Sequence, residues 1–111
     1  MATDPAVARK SEPVHRNEVS MVGRLSSYAT AKQLPSGDEV VTWRLVVERH
    51  GGGIDVVDCA TFAARLRRSA VKWLPGDTIE VEGALRRRFW RGVAGTASRY
   101  EVEVSRAVVR R

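Results

Sequence analysis

A basic run with two adjacent aromatic residues, residues 85–91, holds the side chains best suited to binding chemistry in this sequence. It follows an alternating apolar and polar segment, residues 78–85, which predicts a β-strand. If the strand continues through the run, its period of two places Arg86, Arg88 and Trp90 on one face. Two guanidinium groups beside an indole suit a phosphate backbone with exposed bases.

The other face of the same strand would carry Arg87 and Phe89, which we interpret as structural or as part of a subunit contact. The alternative for the whole run is a solvated hairpin arm whose arginines keep a strand edge soluble. The run alone does not decide between these two interpretations.

Composition favours a polyanionic partner without identifying it. The chain has 111 residues and a formal net charge of +6, with a pI near 10.4, which favours binding to a polyanion or an anionic surface. Its single cysteine, Cys59, excludes an internal disulfide and a cysteine-rich zinc site, and we expect it to be a small buried hydrophobe. His15 and His50 lack a supporting cluster, so we expect neither a metal nor a cofactor.

Apolar alternation predicts five strands and one helix. The strands are expected over residues 17–25, 40–49, 54–62, 78–90 and 100–109. Residues 63–74 change to helical spacing and end before Pro75 and Gly76, so they predict a short amphipathic helix. Residues 26–34 are expected to be irregular, and residues 1–16 to be a disordered leader ahead of one domain spanning residues 17–111.

Five strands with a short helix between the third and the fourth is the order of an OB-fold barrel, an all-β fold. A small β-sandwich fits the alternation too but would not require a helix at that point. Gly23 in the middle of the first strand predicts a bulge or a tight bend, as in a closing barrel. Trp43 shares an apolar face with its strand neighbours, and Trp73 lies on the apolar side of the helix. We expect both to be core residues.

The sequence resembles the bacterial single-stranded DNA-binding protein family over residues 17–109. The fragments that carry the resemblance, in order, are Asn17-Glu18-Val19, Val22-Gly23-Arg24-Leu25, Pro35-Ser36-Gly37, Arg44-Leu45, Asp58-Cys59, Phe62, Leu66, Trp73-Leu74, Gly76-Asp77, Val81-Glu82-Gly83-Ala84-Leu85-Arg86, Arg88-Phe89-Trp90, Tyr100-Glu101-Val102 and Val104. Each fragment is weak alone, but the set in this order is specific.

The resemblance implies an OB fold that binds single-stranded DNA without sequence preference in DNA replication, recombination or repair, as a cytoplasmic, nucleoid-associated homotetramer or dimer. Stacking aromatics and a basic surface carry the binding in that family. By position, the implied DNA-binding residues are Trp90, Arg86, Arg88, Phe62, Arg44 and Lys32.

Two departures from the family pattern change the expectation. Val56 stands where the family commonly has a stacking tryptophan, so Trp90 should carry a larger share of base contact here. The family's long tail with an acidic tip, which recruits replication and repair enzymes, has no counterpart after Val109. We therefore expect either a shortened form or a relative that coats DNA without recruiting partners.

Two other classes of function are alternatives to DNA coating. An OB-fold subunit that binds protein through its β-surface, with weak or no DNA binding, remains the alternative. An enzyme would need a carboxylate cluster to hold a catalytic metal, and the acidic residues are instead spread over separate strands, so we expect no enzyme. No stretch approaches the roughly twenty apolar residues that span a bilayer, and the N-terminus lacks an apolar secretory core.

Overall fold

The computed structural model describes residues 14–110 of the chain. Their secondary structure consists of six strands and one helix: β1 (Val19–Leu25), β2 (Thr30–Gln33), β3 (Glu39–Glu48), β4 (Ile54–Thr61), α1 (Ala64–Ala70), β5 (Thr78–Gly92) and β6 (Gly95–Arg110). The predicted leader, residues 1–16, lies outside the described residues except for its last three, which are exposed.

Five of the strands form a closed ring. They follow one another in the order β1, β5, β6, β4 and β3, and β3 pairs back onto β1 through Arg24 with Val46 and Leu25 with Leu45. Every pairing is antiparallel except that of β4 with β6. The ring, with a short helix between its third and fourth strands along the chain, confirms the predicted OB-fold barrel over the sandwich.

The sixth strand corrects the sequence prediction. Residues 26–34 were expected to be irregular, but β2 lies within them and pairs with β3 from Thr30 opposite Thr42 to Gln33 opposite Glu39. All four residues of β2 are exposed. A strand without a buried face has no apolar alternation, so the pattern that identified the other strands is missing here.

The barrel interior is filled by the apolar faces of the strands and by the helix. Trp43 on β3 and Trp73 after α1 meet edge to face, with ring centroids 5.0 Å apart and an interplanar angle of 85°. Both are buried, which confirms them as core residues. The helix is shorter than the predicted residues 63–74, but Leu66 and Ala70 still pack into the core.

Two glycines lie where strands come close together. A Cβ on Gly23 would lie 2.8 Å from the Val46 carbonyl oxygen, and a Cβ on Gly83 would lie 2.1 Å from the Glu103 carbonyl oxygen. Real Cβ atoms do not approach backbone this closely, so both positions require the absence of a side chain. Gly23 thus permits the close approach of β3 to β1. The pairing of β1 with β5 runs without a register shift from Val19 to Arg24, so no bulge lies at Gly23, and a tight bend there stays a prediction.

A β-bulge lies beside Gly83 and shifts the phase of β6. Glu82 pairs with Arg106 while Gly83 pairs with Val104, which leaves Ser105 unpaired. The inward-facing residues of β6 are therefore Val102 and Val104 before the bulge, then the half-buried Ala107 and Val109 after it. A bulge adds one residue to one strand and increases the local twist, which helps a sheet to close.

Beyond the barrel, β5 and β6 continue as a two-stranded hairpin, which we call the arm (residues 84–101). β1 pairs with β5 only as far as Gly83, and β4 pairs with β6 only from Val102 onward. The Asn17 side chain clamps the root of the arm, since its amide donates to the Leu85 carbonyl at 2.7 Å and its oxygen accepts from the Leu85 N–H at 2.9 Å.

The arm is longer than the sequence predicted. The strands were expected to end at Trp90 and to resume at Tyr100, but they reach Gly92 and restart at Gly95. The turn therefore contains only Val93 and Ala94. Within residues 14–110, no helix is both long and apolar enough to cross a membrane.

Candidate functional site

A groove of about 460 Å³ lies between the arm and the outer side of β2 and β3. Four of the six predicted binding residues line it: Lys32, Phe62, Arg88 and Trp90. Its other lining residues are Leu34, Val40, Thr42, Phe89, Arg99 and Glu101. The structure thus brings together residues that are up to 69 positions apart in the sequence, from Lys32 to Glu101.

Phe62 is held at one side of this groove by the end of β4. The Thr61 hydroxyl donates to the Val104 carbonyl at 2.9 Å and accepts from the Ala63 N–H at 3.4 Å, which fixes the chain on both sides of Phe62. The Arg67 guanidinium donates to the Phe62 carbonyl at 3.1 Å. The ring is therefore presented by a rigid backbone.

Trp90 lies on the arm with 47% of its surface exposed, whereas Trp43 and Trp73 are 4% and 5% exposed. It is thus the tryptophan available to a ligand. The Arg99 guanidinium carbon lies 5.7 Å from its ring centroid, and the Arg88 guanidinium carbon lies 5.4 Å from the Phe62 centroid. Each aromatic ring in the groove is therefore paired with an arginine, an arrangement that favours planar, electron-rich ligands.

The period-two assignment of the arm is confirmed by its register. Directly opposed residues of an antiparallel pair share a face, and Arg88 opposes Arg99 while Trp90 opposes Ala97. We call this side of the arm, formed by Arg86, Arg88, Trp90 and Arg99, the front face. Arg87 opposes Tyr100 and Phe89 opposes Ser98 on the other side, the back face.

Carboxylates neutralise much of the basic charge on the front face. Arg88 lies 2.5 Å from the Glu103 carboxylate and 3.5 Å from that of Glu101, and Arg86 lies 3.7 Å from Glu103. Glu101 is buried, and its pairing with Arg88 offsets the cost of removing a charge from water. The sequence does not predict these ion pairs. The alternation of Glu101 and Glu103 with apolar residues indicates only that they lie on the outward-facing side of β6.

Arg86 lies at the root of the arm rather than in the groove. Its side chain is directed toward Glu103 and it does not line the concavity described above. Its predicted role in binding stays a prediction, at a position beside the groove.

A second concavity, of about 300 Å³, adjoins the first and shares Lys32, Thr42, Arg99 and Glu101 with it. Arg44 lines this second part and pairs with Asp58 at 3.0 Å. Tyr28, 62% exposed in the loop between β1 and β2, lines its outer end. Because they share lining residues, the two concavities form one continuous groove, with Trp90 and Phe62 lining the first part and Tyr28 lining the second.

Arg99 and Tyr28 are groove residues that sequence reasoning missed. The register of the arm would have identified Arg99, since it opposes Arg88 on the same face. Tyr28 gave no periodic signal, because it lies in a loop. At the position of the replaced aromatic, Val56 is 55% exposed and lines neither concavity.

The thiol of Cys59, the single cysteine of the chain, is buried in the barrel. Burial, together with the negative charges of Asp58 and Glu101, raises the pKa of the Cys59 thiol to about 12, so the thiol stays protonated at neutral pH. Its 1% exposure confirms the expected buried residue. Among residues 14–110, no three His, Cys, Asp or Glu side chains are grouped so that they could hold a metal ion.

Comparison with known proteins agrees with this architecture. A model described as "Single-strand binding protein family" matches residues 16–110. Among solved structures, the chain is similar to "Plasmodium falciparum SSB complex with ssDNA", with a TM-score of 0.71 and 18% sequence identity over 90% of this chain and 99% of that one. No curated protein matches the sequence.

Proposed function

The chain belongs to the single-strand binding protein family, and from this premise we propose that it coats single-stranded DNA without sequence preference and without chemistry. The observation that carries the proposal is the groove in which Trp90 and Phe62 lie together with Arg88, Arg99 and Lys32. Bases stack on the aromatic rings, and phosphates lie along the basic side chains. Because every base has a π-face, such binding tolerates any sequence.

The strand follows the continuous groove from the arm toward the loop between β1 and β2. Trp90 and Phe62 receive bases at one end, and Arg44 and Lys32 contact the backbone farther along. We include Arg86 as a phosphate contact at the root of the arm. Affinity should fall steeply with added salt, since each neutralised phosphate releases counterions.

We propose that the protein acts as a homotetramer or a dimer in DNA replication, recombination or repair, in the cytoplasm at the nucleoid. Family membership supports this proposal, as do two exposed valines that flank Glu80 on the outside of the barrel. Val22 opposes Glu80, which opposes Val108, and both valines are exposed. A face of this kind is suited to packing against a second copy, and sedimentation with and without oligo-dT measures subunit number and stoichiometry together.

Substitution of Trp90 tests DNA binding directly. Trp90→Ala should weaken binding to oligo-dT by about 1–3 kcal/mol, the usual contribution of one stacked base, while the melting temperature stays unchanged because the side chain is outside the core. Trp90→Phe, which keeps an aromatic face, should retain most of the affinity.

Intrinsic fluorescence provides the second readout. Trp43 and Trp73 are buried, so quenching by oligo-dT reports mainly on Trp90 in the wild type and should be lost in Trp90→Ala. Salt-sensitive quenching supports DNA coating. If the wild type showed neither quenching nor a mobility shift with oligo-dT at low salt, the proposal would be wrong and the protein-binding alternative would be favoured.

A further inference from the structure

The back face of the arm carries an arginine held between two exposed aromatic rings. The Arg87 guanidinium carbon lies 5.1 Å from the Phe89 ring centroid and 5.4 Å from the Tyr100 centroid. Phe89 is 64% exposed and Tyr100 57% exposed. Two hydrogen bonds from Arg87 to the Ser98 hydroxyl, at 3.1 and 3.3 Å, hold the guanidinium in place. The sequence suggested a structural role or a subunit contact for this side.

Arg87 differs from the arginines of the front face in its charge balance. Arg86 and Arg88 both lie within 4.0 Å of carboxylates. Among residues 14–110, no carboxylate lies within that distance of Arg87. The back face therefore presents a cation that is not neutralised, with an aromatic surface on each side.

We propose that this back face is a second contact surface for single-stranded nucleic acid, so that one strand crosses both sides of the arm. Arg87 takes a phosphate, and Phe89 and Tyr100 each stack against a base. The inference rests on the proposed function and extends it from one groove to a path around the hairpin. The arm allows this path because it is only two strands wide and its strands pair with nothing else.

The charge of the arm favours a polyanion over a second copy of the chain as the occupant. The arm contains one acidic residue, Glu101, and five arginines: Arg86, Arg87, Arg88, Arg91 and Arg99. Two such arms brought together would repel each other, and desolvating an unpaired guanidinium in a protein contact is costly. A nucleotide strand supplies both the anion and the flat apolar faces that these side chains match.

The test compares short and long oligonucleotides on back-face variants. Tyr100→Ala should bind dT35 about tenfold more weakly than the wild type, since it loses a stacking surface that lies outside the groove. The oligonucleotide dT8 is long enough to fill only the front groove. Its affinity, measured by the quenching of Trp90 fluorescence, should remain within about twofold of the wild-type value. Val71→Ala, which removes exposed apolar area at the end of α1, is the control and should change neither value.

Removing the charge gives an independent readout. Arg87→Gln should lower the slope of log K against log salt for dT35 by about 0.7, the contribution of one phosphate on a single strand. Arg87→Lys should restore the slope without restoring full affinity, because an ammonium keeps the charge but lacks the planar guanidinium. A purely structural role for Arg87 would not produce this pattern.

Three outcomes overturn the inference. In the first, the variants keep the wild-type dT35 affinity and salt slope while the wild type still binds dT8. The front groove would then be the whole binding site. Another is a lower subunit number for Tyr100→Ala in sedimentation, which makes the back face a contact between copies. In the third, the wild type does not bind dT8 at all, and this result refutes the proposed function itself. Binding of dT8 by the wild type therefore distinguishes failure of the second surface from failure of the proposed function.

Discussion

Neutralising Glu103 should strengthen DNA binding, although it removes the shortest ion pair of the front face. Glu103 lies 2.5 Å from Arg88 and 3.7 Å from Arg86, so it occupies the guanidinium groups that we propose for phosphates. A phosphate on the free side of Arg88 would lie about 5 Å from the carboxylate. Coulomb repulsion at that distance in water is about 0.8 kcal/mol, which corresponds to about a fourfold change in affinity.

Glu103→Gln should therefore bind oligo-dT about fourfold more tightly than the wild type at low salt. Its salt dependence should also be steeper, because phosphates would neutralise arginines that the protein no longer neutralises itself. The cost in fold stability should stay below about 1 kcal/mol, since the pair is partly exposed. Fluorescence titrations at several salt concentrations and a urea melt measure these effects.

Glu80→Gln is the matched control for the change in net charge. Glu80 pairs with Arg110 at 3.5 Å and is similarly exposed, but it lies eight residues before Arg88 on the same strand. That separation is about 26 Å along the strand, at which the Coulomb energy of two unit charges in water is below about 0.2 kcal/mol even without screening by salt. Weaker binding by Glu103→Gln than by Glu80→Gln would refute the reasoning and show that the carboxylate positions Arg88 instead of competing for it.

Two further predictions concern the barrel. Because burial raises the pKa of Cys59 to about 12 from its usual 9.0, native protein at pH 8 should react with iodoacetamide at least about 100-fold more slowly than urea-unfolded protein; equal rates would contradict the burial. The unfolded thiol ionises first as pH rises, so this group lowers stability from pH 9 up to about 12. Gly83→Ala should cost more than about 2 kcal/mol in a urea melt, since its Cβ would meet backbone at 2.1 Å. Gly92→Ala, whose nearest contact would be 3.6 Å, is the control and should cost less than about 1 kcal/mol.

The sequence predicted the barrel because its main strands each have one buried face. Alternation identifies such strands, and the change to helical spacing after Phe62 identifies α1. β2 could not be found this way, since both of its faces are exposed. The bulge beside Gly83 is only weakly indicated in the sequence. Its one sign is that the apolar positions of β6 change from even to odd residue numbers after Val104.

The composition of the groove was only partly predictable. Period two along β5 placed Arg88 and Trp90 on one face without knowledge of any partner strand. The roles of Arg99, Glu101 and Glu103 depend on the register between β5 and β6, which a single strand's pattern does not contain. The resemblance supplied Phe62 and Lys32, but it gave no indication of the carboxylates that oppose the arginines.

The self-contained pairing of the arm makes its length independent of the barrel. No strand outside the hairpin pairs with residues 84–101. Insertions there therefore leave the pairing of the barrel strands unchanged. Two residues added to each strand would extend the ribbon by about 7 Å and repeat both faces. One residue added to each strand would exchange the two faces beyond the insertion. Evolution or design can thus lengthen the arm, two residues per strand at a time, without any change to the residues of the barrel core.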